Sequence, residues 1–246
     1  MKNQLTDEII NLIDWGEFFR FWKFKEKFPD ILENIEAKKL FDEANNLLKK
    51  LQNENFFCGE AKIEEFPARA EDDNIIIDEK YTIRCFRQQT KKPDGEPYYC
   101  LADFIDEENG KIGVFAITIG AEFGKTDDLY LSLLYQSLAE RIVEAFSQYY
   151  QKKYFNGKNG IAVAIGYPSL PDLRIMKIAD EILDFKSIGI TLGENNMMSP
   201  LSSICGFYIV HSKAKYFAVG RISEEQYADY AARGNESVDE VKKWVR

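Results

Sequence analysis

Apolar residues recur over the first fifty positions with a helical period. In IDWGEFFRFW, Asp14 stands before an aromatic-rich turn and Glu17 follows three residues later, the order of a capped helix start. Pro29 closes that piece. From about Ile35 the positions Ala37, Leu40, Phe41, Ala44, Leu47, Leu48 and Leu51 keep one apolar stripe. From Phe56 the pattern turns to strands. Ile75–Ile77, Tyr81–Arg87, Tyr98–Ile105 and Ile112–Ile119 are rich in β-branched and aromatic residues, with PDGEP a turn between the second and third and another turn over Asp106–Gly110. A long helix is predicted over Asp127–Tyr150, with Leu131, Leu134, Leu138, Ile142, Ala145, Phe146 and Tyr149 on its buried side. A strand at Ile161–Ile165 precedes a helix opening at Pro171, since proline suits a first helical turn. Strands near Ile188–Leu192, Ser203–Val210 and Tyr216–Ile222 follow. Ser223/Gln226 and Ser237/Glu240 have capping-box spacing and open two short closing helices, with Gly234 placed to end the first of them.

Strands joined by short turns argue for an antiparallel meander rather than βαβ units, so the predicted class is α+β. No Gly/Ser-rich linker and no repeat of fixed period divides the chain. The expectation is one domain over residues 1–246, its helical part of about 1–55 packed on a mainly antiparallel sheet that joins the strands of 75–119 to those of 161–222.

Composition narrows the function classes. With 246 residues, 45% of them hydrophobic, the chain can bury a core without staples. A net charge of −9 and a pI near 4.9 repel nucleic acid and anionic membrane as bulk partners. RFWKFKEK mixes basic and aromatic residues, but in so acidic a chain it reads as an amphipathic helix with solvated lysines. The start MKNQLTDEII lacks the apolar core of a signal peptide, and the longest apolar run is far short of the roughly 20 residues that span a bilayer. A cytoplasmic protein is expected. Cys58, Cys85, Cys100 and Cys205 form no C-x-x-C pair and read as reduced core thiols. The single histidine, His211, has no G-x-S-x-G elbow or acid–base partner around it, so neither a nucleophilic triad nor a histidine-rich metal site is expected.

The segment GIAVAIGYPSLPD, residues 160–172, raises the question of a ligand loop. Together with IDWGEFFRFWKFKEKFPDIL, FRQQTKKPDGEPYYCLADFI, LAERIVEAF, KYFAV and EEQYADYAARGNESVDEVKKW it resembles, in order and across essentially the whole chain, the activation (reactivation) domain of cobalamin-dependent methionine synthase, here as a stand-alone protein. The resemblance implies a curved, mainly antiparallel sheet flanked by helices. It also implies S-adenosylmethionine binding and a role in methionine biosynthesis, in which the domain supports reductive methylation of cobalamin and supplies no acid, base or nucleophile of its own. The D-x-H-x-x-G cobalt-ligand pattern is absent. The resemblance therefore implies cobalamin only through a partner, a corrinoid-binding methionine synthase polypeptide, with a flavodoxin-type electron donor.

The family loop R-P-A-x-G-Y-P-x-x-P is matched at Ala164, Gly166, Tyr167, Pro168 and Pro171, whereas Ala162 stands where the family has arginine and Val163 where it has proline. A guanidinium there suits the ligand carboxylate, and its loss costs about 1.5–3 kcal/mol, ten- to a hundredfold in affinity. Arg174 is the nearest replacement along the chain. The resemblance further assigns ligand contact to Asp14, Glu144 and Tyr216, beside their plainer readings as helix cap, solvated helix face and strand core. Arg87, Gln88 and Gln89 either make cobalamin-facing or partner-facing polar contacts or form a hydrogen-bond network that pins the hairpin. Two functions follow from Ala162: a working reactivation domain, or a non-catalytic docking or regulatory module with degenerate S-adenosylmethionine binding.

Overall fold

In the strand β5 (Lys111–Ile119), alternate residues enter two different cores, and this organises the rest of the protein. Ile112, Val114 and Ala116 pack into one cluster, while Phe115, Ile117 and Ile119 pack into the other. A strand buried on both faces must be apolar at every position, and after Lys111 this one is buried at every position. The computed structural model describes residues 2–54, 57–120 and 123–245.

The strands β1 (Lys2–Gln4), β2 (Phe57–Glu71), β3 (Asn74–Ile77), β4 (Tyr81–Arg84), β5, β6 (Gly160–Ala164) and β9 (Ser203–Val210) form one antiparallel sheet in the order β4-β3-β2-β5-β9-β6, with β1 pairing β2. β7 (Thr191–Leu192) and β8 (Met198–Ser199) make a separate two-stranded ladder. On one face lie α1 (Asp7–Ile10), α2 (Trp15–Phe21), α3 (Ile35–Asn53) and the 27-residue α4 (Leu129–Phe155). The other face is covered by α5 (Ile175–Leu183), α6 (Glu224–Arg233) and α7 (Val238–Trp244). Among the described residues no helix is long and apolar enough to cross a membrane.

The predicted α+β class and antiparallel sheet are present, with several local corrections. β2 spans 15 residues and is the centre of the sheet, yet its charged stretch KIEEFPARAE hid it; Pro67 is tolerated where the ladder with β5 ends, opposite Lys111. Tyr98–Ile105 is not a strand. It crosses Arg87–Gln89 through Gln88 N–H donating to the Tyr99 carbonyl (2.8 Å) and then turns into a 3-10 helix at Leu101–Phe104. Tyr216–Ile222 likewise lies outside the sheet, held where Gln89 N–H reaches the Val219 carbonyl at 2.6 Å. α2 ends at Phe21, so the remainder of RFWKFKEK is not helical. α5 opens at Ile175 rather than at Pro171, and the stretch predicted as a strand near Ile188 opens as a 3-10 turn. α4 extends past Tyr150 to Phe155, capped by the Asp128 carboxylate at Leu131 N–H (2.9 Å). Ser223 and Ser237 do cap α6 and α7. After α6 the left-handed residue is Asn235 (φ 52°), while Gly234 leaves the space that the Arg84 guanidinium occupies, a Cβ there lying 1.7 Å from Arg84 Nη1.

Cys85, Cys100 and Cys205 are buried free thiols, and the Cys58 side chain lies outside the described residues. Arg87 is occupied internally by Asp73, by Asp103 at 2.8 Å and by the Tyr98 carbonyl at 2.7 Å.

Candidate functional site

Period-two alternation also decides what β6 presents to each side. Ile161, Val163 and Ile165 face the α5 core, so Ala162 and Ala164 face α4. On the neighbouring strand Ile204 faces the same way, and Phe115 does so from β5. Alanine at two successive outward positions leaves room between the sheet and α4. A cavity of about 230 Å³ occupies it, lined by Phe115, Glu144, Ser147, Gln148, Gln151, Ala162, Ala164, Tyr167, Ile204 and Tyr216.

The turn after β6 forms one wall. Gly166 takes φ +85°, a conformation glycine adopts without strain, and its N–H donates to the Leu170 carbonyl at 2.8 Å. Leu170 N–H returns to the Tyr167 carbonyl at 2.9 Å, closing a turn that pushes the Tyr167 ring outward. The far side of the turn is tied down by Ser169 Oγ donating to the Phe217 carbonyl (2.6 Å) and Val219 N–H donating to the Pro168 carbonyl (2.9 Å). Those two bonds bring the segment carrying Tyr216 beside Tyr167. The two rings stay 49% and 53% exposed, as open aromatic walls rather than core residues.

The floor is rigid. Phe115 stacks on the fully buried Tyr208 with centroids 4.4 Å apart, and the Tyr208 hydroxyl donates to the Ser147 carbonyl of α4 at 3.4 Å. Burying such rings is worth about 1.5–3 kcal/mol each, so the floor is not free to collapse into the cavity.

The electrostatics centre on Glu144. Burial raises its carboxyl above the usual carboxylate value, Arg141 counteracts, and Glu17, Asp14 and Glu140 raise it further. Arg141, with its side chain only 12% exposed, is held by Glu144 at 3.1 Å and by Glu140 at 3.7 Å. The Tyr167 phenol is also pushed up, by burial first and by the charge of Glu144, which lines the same cavity, second. The cavity thus has a negative end that favours a cation.

Of the residues designated from sequence, Glu144, Ala162, Ala164, Tyr167 and Tyr216 line this one cavity. Gly166 shapes the turn without lining it. Asp14 is the N-cap of α2, its carboxylate accepting from Glu17 N–H at 3.0 Å, and it acts on the site through its charge on Glu144. Arg174 is not available as a substitute cation. It pairs with the buried Asp172 at 2.6 Å and with Glu236, on the opposite face of the sheet. Ser147, Gln148 and Gln151 escaped the sequence reading. The signal was present, since they stand three, four and seven residues after Glu144 and share its side of α4.

Larger hollows of about 510, 530 and 550 Å³ lie where Pro67–Arg69 faces Glu107–Lys111, beside Asp103–Asn109, and at Phe123–Asp127, but they share no lining residue with this cleft, and the first two are lined by four acids each.

The family model for the vitamin B12 dependent methionine synthase activation domain matches residues 5–157 and 151–235. A crystal structure of the MetH reactivation domain bound to AdoHcy is 33% identical, covers 99% of this chain and 87% of its own, and superposes with a TM-score of 0.86. With the match extending over most of both cores and the whole α4–β6 cleft, the chain belongs to the vitamin B12-dependent methionine synthase activation domain family.

Proposed function

We propose that this protein binds S-adenosylmethionine in the cleft between α4 and the β6 turn and serves the reductive methylation of cobalamin carried by another methionine synthase module. One observation carries the reading. Five residues designated from sequence, drawn from a helix, a strand, a turn and a distant loop, converge on one cavity in a chain whose 33%-identical relative holds AdoHcy.

The donor set fits the ligand at its cationic and aromatic parts. Glu144 faces an ammonium or sulfonium, and a cation beside it relieves the burial that now raises its carboxyl. Tyr167 and Tyr216 supply ring faces for adenine or for the sulfonium. Ala162 and Ala164 leave the room between sheet and helix that the ligand would occupy. Bound there, S-adenosylmethionine would supply the methyl group; the chain's own residues hold it, and the half-exposed rings of Tyr167 and Tyr216 leave their side of the cleft in contact with solvent. The acceptor cobalamin and an electron donor such as a flavodoxin-type protein would approach from that side.

The second reading, a docking module without ligand, is favoured by one fact: among the described residues, no lysine or arginine lines the cavity. Calorimetric titration with S-adenosylmethionine separates the two. Saturable binding in the micromolar to millimolar range supports the first reading, and no heat of binding at millimolar ligand supports the second.

A further inference from the structure

Position 162 offers no guanidinium, yet a ligand built on methionine brings a carboxylate as well as an ammonium. We propose that Ser147, Gln148 and Gln151 receive that carboxylate through neutral hydroxyl and amide donors, and that the site therefore accepts sulfonium nucleosides lacking the carboxylate with an affinity within about tenfold of that for S-adenosylmethionine. The inference rests on the S-adenosylmethionine reading above.

Three observations place the carboxylate there. Glu144, Ser147, Gln148 and Gln151 form a continuous polar stripe along α4, and all four line the cavity. Only residues 156–159 separate α4 from β6, so the strand runs back along the helix. Late helix positions then oppose early strand positions, which sets Gln148 and Gln151 at the level of Ala162 and Glu144 at the level of Tyr167. The field of Glu144 felt at the Tyr167 hydroxyl agrees with that pairing. Finally, neither carboxamide makes a hydrogen bond among the described residues, whereas Gln52, Gln89 and Gln226 are all engaged. A ligand laid along the stripe with its ammonium at Glu144 brings its carboxylate towards the amides, while Arg141 and Arg174 stay with their own acids.

Neutral donors discriminate less than a charged fork. A hydroxyl or amide donor facing a carboxylate carries charge on one side only and here competes with water, so it sits at the low end of hydrogen bonds to charged groups, about tenfold in affinity, against up to a hundredfold or more for a bidentate ion pair. The test titrates the intact protein, by calorimetry, with S-adenosylmethionine and with its decarboxylated analogue, in which hydrogen replaces the carboxylate. The wild-type protein is expected to prefer the carboxylated ligand by no more than about tenfold. Gln148→Ala combined with Gln151→Ala should weaken S-adenosylmethionine about three- to tenfold, towards the affinity of the analogue, and leave the analogue unchanged. Gln151→Glu should go further and invert the preference by charge repulsion. Both glutamines lie at the surface end of the stripe, and a melting curve checks that the variants fold. Amide variants that bind both ligands like the wild type, or that lose both equally, overturn the inference alone. A wild-type preference far above tenfold that the variants do not move also overturns it. Wild-type protein that binds neither compound removes the parent reading together with the inference.

Discussion

Glu144 is held in a state that suits binding better than folding. Its folded-state carboxyl value lies above the ordinary one, so the ionised group costs stability once the pH exceeds the unfolded value, and the cost is complete above the folded value. Glu144→Gln removes that cost and leaves Arg141 its second acid, Glu140. The variant should melt above the wild type at neutral pH, and the difference should fade as the pH falls below the ordinary carboxylate range. The same change should weaken S-adenosylmethionine about ten- to a hundredfold, because a charge-assisted contact is lost. In the wild type, affinity should decline on acidification as the raised carboxyl takes up its proton; melting and titration at neutral pH and at about pH 4 check both signs. Ala162→Arg is the converse experiment. Its side chain would enter the cavity opposite the glutamines, tighten S-adenosylmethionine about tenfold, and make the amide substitutions matter less, a non-additivity that a double-mutant cycle measures. At this scale the loop motif made Ala162, Ala164, Gly166 and Tyr167 legible. Ser147, Gln148 and Gln151 were not, because reading α4 for its buried stripe of Ile142, Ala145, Phe146 and Tyr149 leaves the adjoining polar stripe looking like solvent-facing surface.

The element that decides the site's shape is the turn following β6. A Cβ on Gly166 would lie 2.8 Å from Leu173 Cδ2 at a φ of +85°, so both the backbone and the packing resist a side chain. Gly166→Ala is expected to cost about 1–3 kcal/mol in urea unfolding and, by displacing the Tyr167 ring, to weaken ligand binding more than Tyr216→Ala does. If Gly166→Ala unfolds and binds as the wild type does, the turn does not set the aromatic wall. Element types were well marked where one period ran unbroken, as in α3, α4 and β5. They failed where tertiary contacts, rather than local pattern, fixed the backbone: Tyr98–Ile105 and Tyr216–Ile222 carry strand-like sequences but spend their hydrogen bonds on Gln88, Gln89 and the Pro168 turn instead of on a ladder. β2 failed in the opposite sense, its partners on both sides overriding a charged sequence.

Across the whole molecule, the C-terminal helices are fastened to the sheet by charges that sequence spacing could not pair. Asp172, nearly inaccessible, accepts from Arg174 and from the Tyr230 hydroxyl at 2.7 Å; Glu236 bridges Arg174 to Arg84, and Asp172 forms a β-bridge with Val245. Asp172→Ala strands buried donors and should cost about 3–5 kcal/mol in urea unfolding, while leaving the affinity of the folded fraction for S-adenosylmethionine within about twofold, since the network lies across the sheet from the cavity. The α+β class was legible where turns were short, as between β3 and β4, although residues 85–110, read as a hairpin and a further strand, form one long connection to β5; the partition into two cores was not legible, because it depends on which face each helix covers. The 27-residue helix α4, about 40 Å long, joins very different surroundings. Its first turn carries Leu129, 76% exposed, with Tyr130, Leu131 and Leu133 also open to solvent, while Leu138, Ile142, Ala145 and Phe146 are sealed against the sheet. One continuous helix should therefore keep two clocks. The amides of 129–133 should exchange with deuterium orders of magnitude faster than those of 138–148, so that the end remote from the glutamines opens and closes many times within the lifetime of a binding cleft that never loses its shape.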